Sequence, residues 1–328
     1  MSWSDQVICS SSKGCVVERA STRVDRRRVR SRVARLLGVF LALAVVLTGC
    51  VNNEERERAN QVTPINVDVE KVPEIAALVP PEIARTGRLV VGVNVPYQPN
   101  EFKGPDGKII GYDVDLMNAV GKVLGLTPVY KESQFDTIIP SVQAGTYNVG
   151  MSSFTDTLER EKQVDFVTYY SAGVQWAQAA DSDEDIDPSN ACGKRVAVQT
   201  TTYEDTDEIP AKSAECVARG LPPIDKVKFD SQDEAVNALI LGRVEAMSAD
   251  SPVTAYAIKR TNGKLKAAGE LFDSAPYGWA VRKGSPLGPA MQKAVQYLMD
   301  NGQYEEIAAN WGLQEGMIDV SVINGAVS

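Results

Sequence analysis

The sequence contains no histidine, few cysteines and few aromatic residues. Its 328 residues include 5 cysteines, and phenylalanine, tryptophan and tyrosine together make up 7%. Histidine is the most frequent general base in enzymes and the most frequent metal ligand. Its absence excludes Ser-His-Asp and Cys-His catalysis, and we expect neither a bound metal ion nor a cofactor.

Long apolar runs are also missing. The segment Leu36–Leu47 is apolar over 12 residues, whereas a helix needs about 20 residues to cross a bilayer. A block of arginines precedes this segment and the polar stretch VNNEERERANQ follows Cys50, which is the layout of an export signal. A buried core helix that ends in a cysteine is the alternative interpretation.

The end of this segment, Leu47-Thr48-Gly49-Cys50, is similar to the bacterial lipobox, whose cysteine receives lipid and becomes the mature N-terminus. We therefore expect residues 1–49 to be a signal peptide and Cys50 to carry a diacylglyceryl anchor and a palmitate. Stable anchoring needs more than one acyl chain, and the diacylglyceryl group supplies two. Signal peptides have a short basic region, so we expect translation to start downstream, at Val24 or Val29.

Acidic residues dominate the chain beyond the expected signal. Nine of the 34 basic and three of the 43 acidic residues precede Val51, which leaves 25 basic and 40 acidic residues and a net charge of −15. Such a surface repels nucleic acid and favours solubility. We expect no nucleic-acid partner.

The cysteines divide by position. Cys9 and Cys15 precede the apolar segment and Cys50 ends it, so Cys192 and Cys216 alone remain in the later part of the chain. An even pair in an exported chain predicts a disulfide. Two distant free thiols are the alternative.

Strand and helix patterns alternate from Arg88 onward, after a polar stretch (residues 50–80) that we expect to be a flexible tether. We expect Asp113 to cap the first long helix and Gly125 to end it. In the second half, Ser231 and Glu234 form a capping-box pattern. Alternation of this kind predicts a mainly parallel sheet flanked by helices, in two similar α/β lobes. Ligands bind at the carboxyl ends of strands in such sheets.

Several ordered motifs between Pro80 and Leu313 resemble one family, the bacterial extracellular solute-binding proteins of the polar amino-acid class (family 3), which supply ABC importers. The motifs are VPYQPNEF, GYDVDLMNAVGKVLGL, FDTIIPSVQAGTYNVGMSSFTDTLERE, VDFVTYY, GKRVAVQTTT, DSPVTAY, YGWAVRKGSPL and NGQYEEIAANWGL.

The resemblance implies an α/β clamshell of the type II periplasmic-binding-protein fold. Lobe 1 would comprise residues 81–173 and 277–328, and lobe 2 residues 174–276, joined by a two-strand hinge. The resemblance further implies a monomer, lipid-anchored outside the cell membrane, that closes its hinge on a polar amino acid and delivers it to an ABC permease.

The resemblance also implies site residues in lobe 1. Arg160, in the TLER motif, would clamp the α-carboxylate of the ligand, which suits its planar bidentate fork. Thr155, Ser152 and Ser153, at the preceding strand end, would meet the α-amino and α-carboxylate groups.

In lobe 2, the turn Thr200-Thr201-Thr202 would offer helix N–H groups to the carboxylate. Many members of the family have glycine at the first or second of these positions, and this chain has none, which puts the backbone geometry of the turn in question. Asp250 would pair with the ligand ammonium.

Tyr97 and Phe135 would enclose the aliphatic part of the ligand. Asn94 stands where relatives that bind basic amino acids often have an acid. We therefore expect a neutral ligand such as glutamine or asparagine, or an acidic one such as glutamate.

Ordinary structural roles remain open for several of these residues: Arg160 in a surface ion pair with Glu159 or Asp156, Phe135 in the core, and Asp250 as a helix cap. At the level of function, a binding protein that reports its ligand to a receptor is one alternative. A dehydratase-type enzyme on the same fold is another, and it would need a general acid near the ligand. Without histidine only Asp250, Glu101 or a tyrosine could serve. We expect no enzyme, because Arg160 and Asp250 are already interpreted as clamps for a zwitterion.

Overall fold

A mixed sheet of eight strands organises the chain in the computed structural model, which describes residues 62–327. The expected signal peptide and Cys50 lie outside the described residues. The strands are β1 (Arg88–Val93), β2 (Phe102–Lys103), β3 (Ile109–Ile110), β4 (Thr127–Glu132), β5 (Val149–Thr155), β6 (Val164–Ala179), β7 (Arg195–Gln199), β8 (Asp225–Phe229), β9 (Ala246–Asp250) and β10 (Leu265–Arg282). Their order in the sheet is β4-β1-β5-β10-β6-β9-β7-β8, and β2 pairs with β3 separately.

Helices connect these strands on both halves of the sheet. They are α1 (Pro73–Ala76), α2 (Pro81–Thr86), α3 (Tyr112–Leu124), α4 (Phe135–Ala144), α5 (Leu158–Glu161), α6 (Ile209–Ala218), α7 (Gln232–Ile240), α8 (Ser251–Arg260), α9 (Leu287–Asp300) and α10 (Gln303–Trp311), and a turn of π-helix, Glu204–Glu208, precedes α6. Among the described residues, no helix combines the length and the apolar character needed to cross a membrane.

Most helix ends lie where local sequence signals predicted them. Gly125 ends α3 in the left-handed conformation, which costs glycine little because it has no Cβ. Ser231 and Glu234 form the expected capping box at the start of α7. The expected cap at Asp113 was wrong: α3 begins one residue earlier, and the Asp113 side chain points inward, where the Tyr169 hydroxyl donates to it at 2.5 Å.

The sheet is shared by two halves with separate cores. We call lobe 1 the half around β1, β4 and β5, and lobe 2 the half around β7, β8 and β9. Neighbouring strands within each of these sets run parallel. The core of lobe 1 contains the stacked rings of Tyr169 and Trp279, whose centroids are 4.5 Å apart. The core of lobe 2 is smaller and contains Trp176 and many alanine and valine side chains.

Two long strands, β6 and β10, pass from one lobe to the other side by side. They pair antiparallel on both sides of the crossing, with Ala172 opposite Ala275 and Val174 opposite Phe272. Gly173 lies between these pairs, and a Cβ there would come within 2.7 Å of the Phe272 carbonyl oxygen. Only glycine therefore fits where the strands cross.

The segment before lobe 1 differs from expectation. We expected residues 50–80 to form a flexible tether, but residues 62–80 pack on lobe 1, where Val67, Ile75 and Val79 are buried in the core. The Ile65 amide also donates to Asp115 at 2.9 Å. Scattered apolar residues in this polar stretch gave no periodic pattern, so their burial was not visible in the sequence.

A disulfide joins Cys192 to Cys216 in lobe 2, with 5.5 Å between their Cα atoms. Cys216 lies on α6, and its side chain is buried in the lobe 2 core. The bridge therefore attaches α6 to the segment that leads into β7.

Candidate ligand-binding site

A narrow cavity lies between the lobes, where β1, β5, β7 and β9 end. This is the position at which open α/β sheets bind ligands. Its lining consists of Asn94, Tyr97, Phe135, Ser152, Ser153, Thr155, Arg160, Gln199, Thr202, Tyr203, Glu204 and Asp250.

Nine of the eleven residues singled out in the sequence line this cavity, and Thr200 and Thr201 do not. Sequence reasoning missed Gln199, Tyr203 and Glu204. A signal was available for Gln199, which is the last residue of the VAVQ strand and so lies at a carboxyl end. Glu204 lies two residues beyond Thr202, at the start of a helical segment, but nothing local indicates that its side chain is buried.

The Arg160 guanidinium lies across the junction of the two lobes. Nη1 donates to the Thr155 carbonyl at 2.7 Å and Nη2 donates to the Thr201 carbonyl, in lobe 2, at 3.0 Å. Its carbon atom stands 5.8 Å from the Phe135 ring centroid and 5.7 Å from that of Phe154, within the range of cation–π attraction. Neither Glu159 nor Asp156 forms an ion pair with it among the described residues.

Behind the cavity wall of lobe 1 lies a buried hydrogen-bond network. Ser152 donates to Glu101 at 2.9 Å, and Asn100 donates to Ser153 at 2.8 Å. Burial raises the pKa of Asp113 to about 7, and burial together with the Asp113 charge raises the pKa of Glu101 well above its usual value. The two serines are therefore held in position by groups that the ligand would not contact.

Asn94 is held in place by hydrogen bonds within the protein. Its amide Nδ2 donates to the Ser133 carbonyl at 2.9 Å, and its Oδ1 accepts from Gln199, in lobe 2, at 2.8 Å. An amide has two N–H donors and two acceptor lone pairs, so this side chain can still both donate to a ligand and accept from it. Asn94 by itself therefore does not select the charge of the ligand.

Asp250 faces lobe 1 from the end of β9. It stands at the N-cap position of α8, but its side chain makes no capping hydrogen bond. Instead it accepts a short hydrogen bond from the hydroxyl of Tyr97 across the cavity. Burial, and next the charge of Glu204, raise the pKa of Asp250 well above its usual value.

Glu204 is the second carboxylate in the cavity. Its side chain is 1% exposed, and its Oε1 is buried without a hydrogen-bond partner among the described residues. Burial raises its pKa, and the charge of Arg160 opposes that rise. A buried carboxylate oxygen without a donor is costly, so a cation placed beside it would be favoured.

The threonine turn is unusual in its backbone. Thr201 has φ +64°, a left-handed conformation that a β-branched residue rarely adopts. Thr200 is turned away from the cavity, because its amide and its hydroxyl both donate to the Phe229 carbonyl. Thr202 lines the cavity, and its hydroxyl donates to the Gln199 carbonyl at 2.9 Å. The turn therefore keeps a glycine-like conformation without glycine.

The aromatic wall of the cavity is also part of the core. Phe135 lines the cavity and stacks on Phe154 with a centroid distance of 4.5 Å. Both interpretations of Phe135, as cavity wall and as core residue, are therefore compatible with its position.

Comparison with known proteins gives a consistent picture. The family model for bacterial extracellular solute-binding proteins, family 3, matches residues 89–314. The arginine-binding protein ArgT of Corynebacterium glutamicum is 45% identical over 295 residues, which cover 89% of this chain and 95% of that protein.

Solved structures agree with this match. An ancestral arginine-binding protein bound to arginine superposes with a TM-score of 0.63 at 34% identity, over 69% of this chain and 98% of that one. An ancestral amino-acid-binding protein described as a precursor of cyclohexadienyl dehydratase has a TM-score of 0.61 at 32% identity, over 70% of this chain and 97% of that one. The ArgT relative and the arginine-bound structure are binding proteins rather than enzymes. With its two-lobed α/β fold, this chain belongs to the bacterial extracellular solute-binding proteins of family 3.

Proposed function

We propose that the protein binds a basic amino acid, arginine in the first place, and delivers it to an ABC permease. The observation that carries this proposal is the buried carboxylate of Glu204, which has an unpartnered oxygen inside the cavity. The names of the ArgT relative and of the arginine-bound ancestral structure support the same ligand.

The charges in the cavity favour a cationic ligand. One guanidinium, that of Arg160, faces two carboxylates, those of Glu204 and Asp250. A zwitterion with a neutral side chain leaves one negative charge uncompensated, and an acidic amino acid adds another. A basic amino acid neutralises the site, and burial makes that difference large.

Each group then has one task. Arg160 takes the α-carboxylate in a charge-assisted pair, and Asp250 takes the α-ammonium with Tyr97 beside it. Glu204 takes the cationic side chain, for which a guanidinium offers a planar set of donors. Because Arg160 belongs to lobe 1 and Asp250 to lobe 2, one ligand contacts both lobes and stabilises the closed form.

Calorimetric titration of the purified protein tests this proposal. Arginine, lysine, glutamine and glutamate are compared at pH 7.5, chosen near neutrality, and we expect arginine to bind most tightly and glutamate not at all. Tight binding of glutamate, or equal binding of glutamine and arginine, would contradict the proposal. A thermal-shift screen over the common amino acids identifies any other ligand, because a ligand that binds only the native state raises the melting temperature.

Anchoring through Cys50 is a separate part of the proposal, supported by the lipobox-like sequence LTGC. We expect the wild-type protein to fractionate with membranes and Cys50→Ala to be released or mislocalised. Substitution of Cys15, which precedes the apolar segment, serves as the control and should change nothing. Wild-type protein found entirely in the culture medium with residues 47–49 still attached would refute the anchor.

A further inference from the structure

The last described residues run along β6 in lobe 1, beyond the region that matches the family. We call residues 320–326 the C-terminal strap. Ile323 forms an antiparallel bridge with Val167, and Thr168 donates its amide to the Val322 carbonyl at 3.0 Å. The lobe 1 part of β6 pairs with β10 on one side, whereas β9 pairs with the other side of β6 only from Val174 to Gln178, in lobe 2. The strap therefore covers an edge that would otherwise present unpaired backbone groups.

The end of the strap contacts the segment that carries Arg160. The Gly325 amide donates to Asp156 Oδ2 at 2.7 Å, and the next amide, that of Ala326, donates to Glu161 Oε1 at 3.1 Å. Asp156 and Glu161 lie on either side of Arg160, so two consecutive N–H groups hold both ends of the segment.

The helix that carries Arg160 is short. Arg160 lies on α5, a helix of four residues, whose N-cap Thr157 accepts from the Arg160 amide at 3.3 Å. A helix of one turn is not stable alone. Asp156 also donates its amide to the carbonyl of Pro276, close to where β10 crosses between the lobes. The strap, the strand crossing and the Arg160 segment thus meet at Asp156.

Asp156 depends on the strap for its hydrogen bonding. Its side chain is 1% exposed, and its Oδ1 is buried without a partner among the described residues. The Gly325 amide is the hydrogen-bond donor to its other oxygen. Without the strap, this carboxyl group would lose that donor, and the segment would lose the contact that fixes its start.

We propose that the C-terminal strap is a positioning element that sets the Arg160 guanidinium for the ligand α-carboxylate. The inference rests on one part of the proposed function, in which Arg160 binds the α-carboxylate of the ligand. It predicts that loss of the strap weakens recognition of the α-carboxylate selectively and leaves the contacts with the rest of the ligand unchanged.

The test compares arginine with argininamide, in which a neutral amide replaces the α-carboxylate. The full chain and a chain that ends at Asp319 are titrated with both ligands. We expect the shortened chain to bind arginine about tenfold more weakly, since small misplacement of a charged group is costly, and argininamide within about twofold of the full chain. A synthetic peptide of residues 317–328 should restore arginine binding. If the full chain prefers another amino acid, that amino acid and its α-amide are used instead, which tests the strap independently of the ligand.

Asp156→Ala provides a second test if the shortened chain does not fold. It should weaken the binding of arginine more than that of argininamide. Asp156→Asn, which keeps an acceptor for Gly325, should bind both ligands as the wild type does. Val320→Ala, at an exposed strap position, is the control variant. Equal loss of arginine and argininamide, or no loss of either, would overturn the inference.

Discussion

The two lobes contribute differently to the cavity. On the lobe 1 side, Asn94, Ser152 and Ser153 are already hydrogen-bonded within the protein, so their positions do not depend on a ligand. On the lobe 2 side, one oxygen of Glu204 has no partner among residues 62–327, and Asp250 reaches across to the Tyr97 hydroxyl. The comparison indicates that lobe 1 supplies shape and one fixed cation, whereas lobe 2 supplies the negative charge that selects the ligand.

The lobes also differ in how they are stabilised. Lobe 1 buries an extensive aromatic core and has its outer strand covered by the C-terminal strap. Lobe 2 has smaller core clusters and contains the disulfide between Cys192 and Cys216. A small core buries less apolar surface per residue, and disulfides commonly compensate for that.

Removal of Arg160, the fixed cation of lobe 1, should have the largest effect on ligand affinity. Arg160→Ala leaves the ligand carboxylate desolvated and unpaired, which costs about 2–5 kcal/mol, or roughly 30-fold to several thousand-fold in affinity. Calorimetry should therefore detect little or no binding, and circular dichroism should show a preserved fold. Arg219→Ala, an exposed arginine of lobe 2 bonded to Asn190, is the control. Unchanged affinity in Arg160→Ala would contradict its role.

Neutralising the charge of lobe 2 should change selectivity. Glu204→Gln should weaken the binding of arginine by about 1.5–3 kcal/mol and leave the binding of glutamine nearly unaffected. Glu215→Gln, an exposed acid on α6, is the charge-matched control. Equal losses for arginine and glutamine would show that Glu204 acts on the fold rather than on the ligand cation.

The Glu204→Gln variant also tests the role of this carboxylate through the pH dependence of arginine binding. Burial raises the pKa of Glu204 above its usual value, and a cationic ligand binds the ionised form. Arginine affinity should therefore fall as the pH is lowered through that pKa, and binding should release protons. In Glu204→Gln this part of the pH dependence should disappear, which titrations at several pH values can measure.

Loss of the disulfide should affect stability and spare affinity. Replacing Cys192 and Cys216 by alanine should lower the free energy of unfolding by about 3 kcal/mol, as measured by denaturant titration. The dissociation constant should stay within about twofold, because neither cysteine lines the cavity. Free thiols at both Cys192 and Cys216 in the unreduced, denatured wild type would contradict the bridge.

The smallest expected effect is a change in stability on substitution in the threonine turn. Thr201→Gly removes the strain of a β-branched residue at φ +64° and a buried hydroxyl without a partner. Glycine loses more conformational entropy on folding, so we expect a net gain of only about 1 kcal/mol. Thr200→Gly is the matched control and should destabilise, because the Thr200 hydroxyl bonds to Phe229. A loss of stability in Thr201→Gly would contradict this account.

Much of the fold could be predicted from the sequence because its signals are local. Alternating strand and helix patterns, Gly125 and the capping box of Ser231 and Glu234 depend on neighbouring residues alone. Polar residues such as Ser152 and Asp250 stand at strand ends, and parallel strands bring their ends together. Nine of the residues that the family resemblance implied line the cavity.

Only the tertiary structure determined which charged groups face the cavity and which contacts hold the site residues in place. Asn94 is hydrogen-bonded to Gln199, 105 residues away in the sequence, and Glu204 is buried in the cavity between the lobes. Gly325 reaches Asp156 across 169 residues of chain, and residues 62–80 pack on a core formed much later in the sequence. Hydrophobic periodicity describes one element at a time, and these contacts join elements that meet only when the chain is folded.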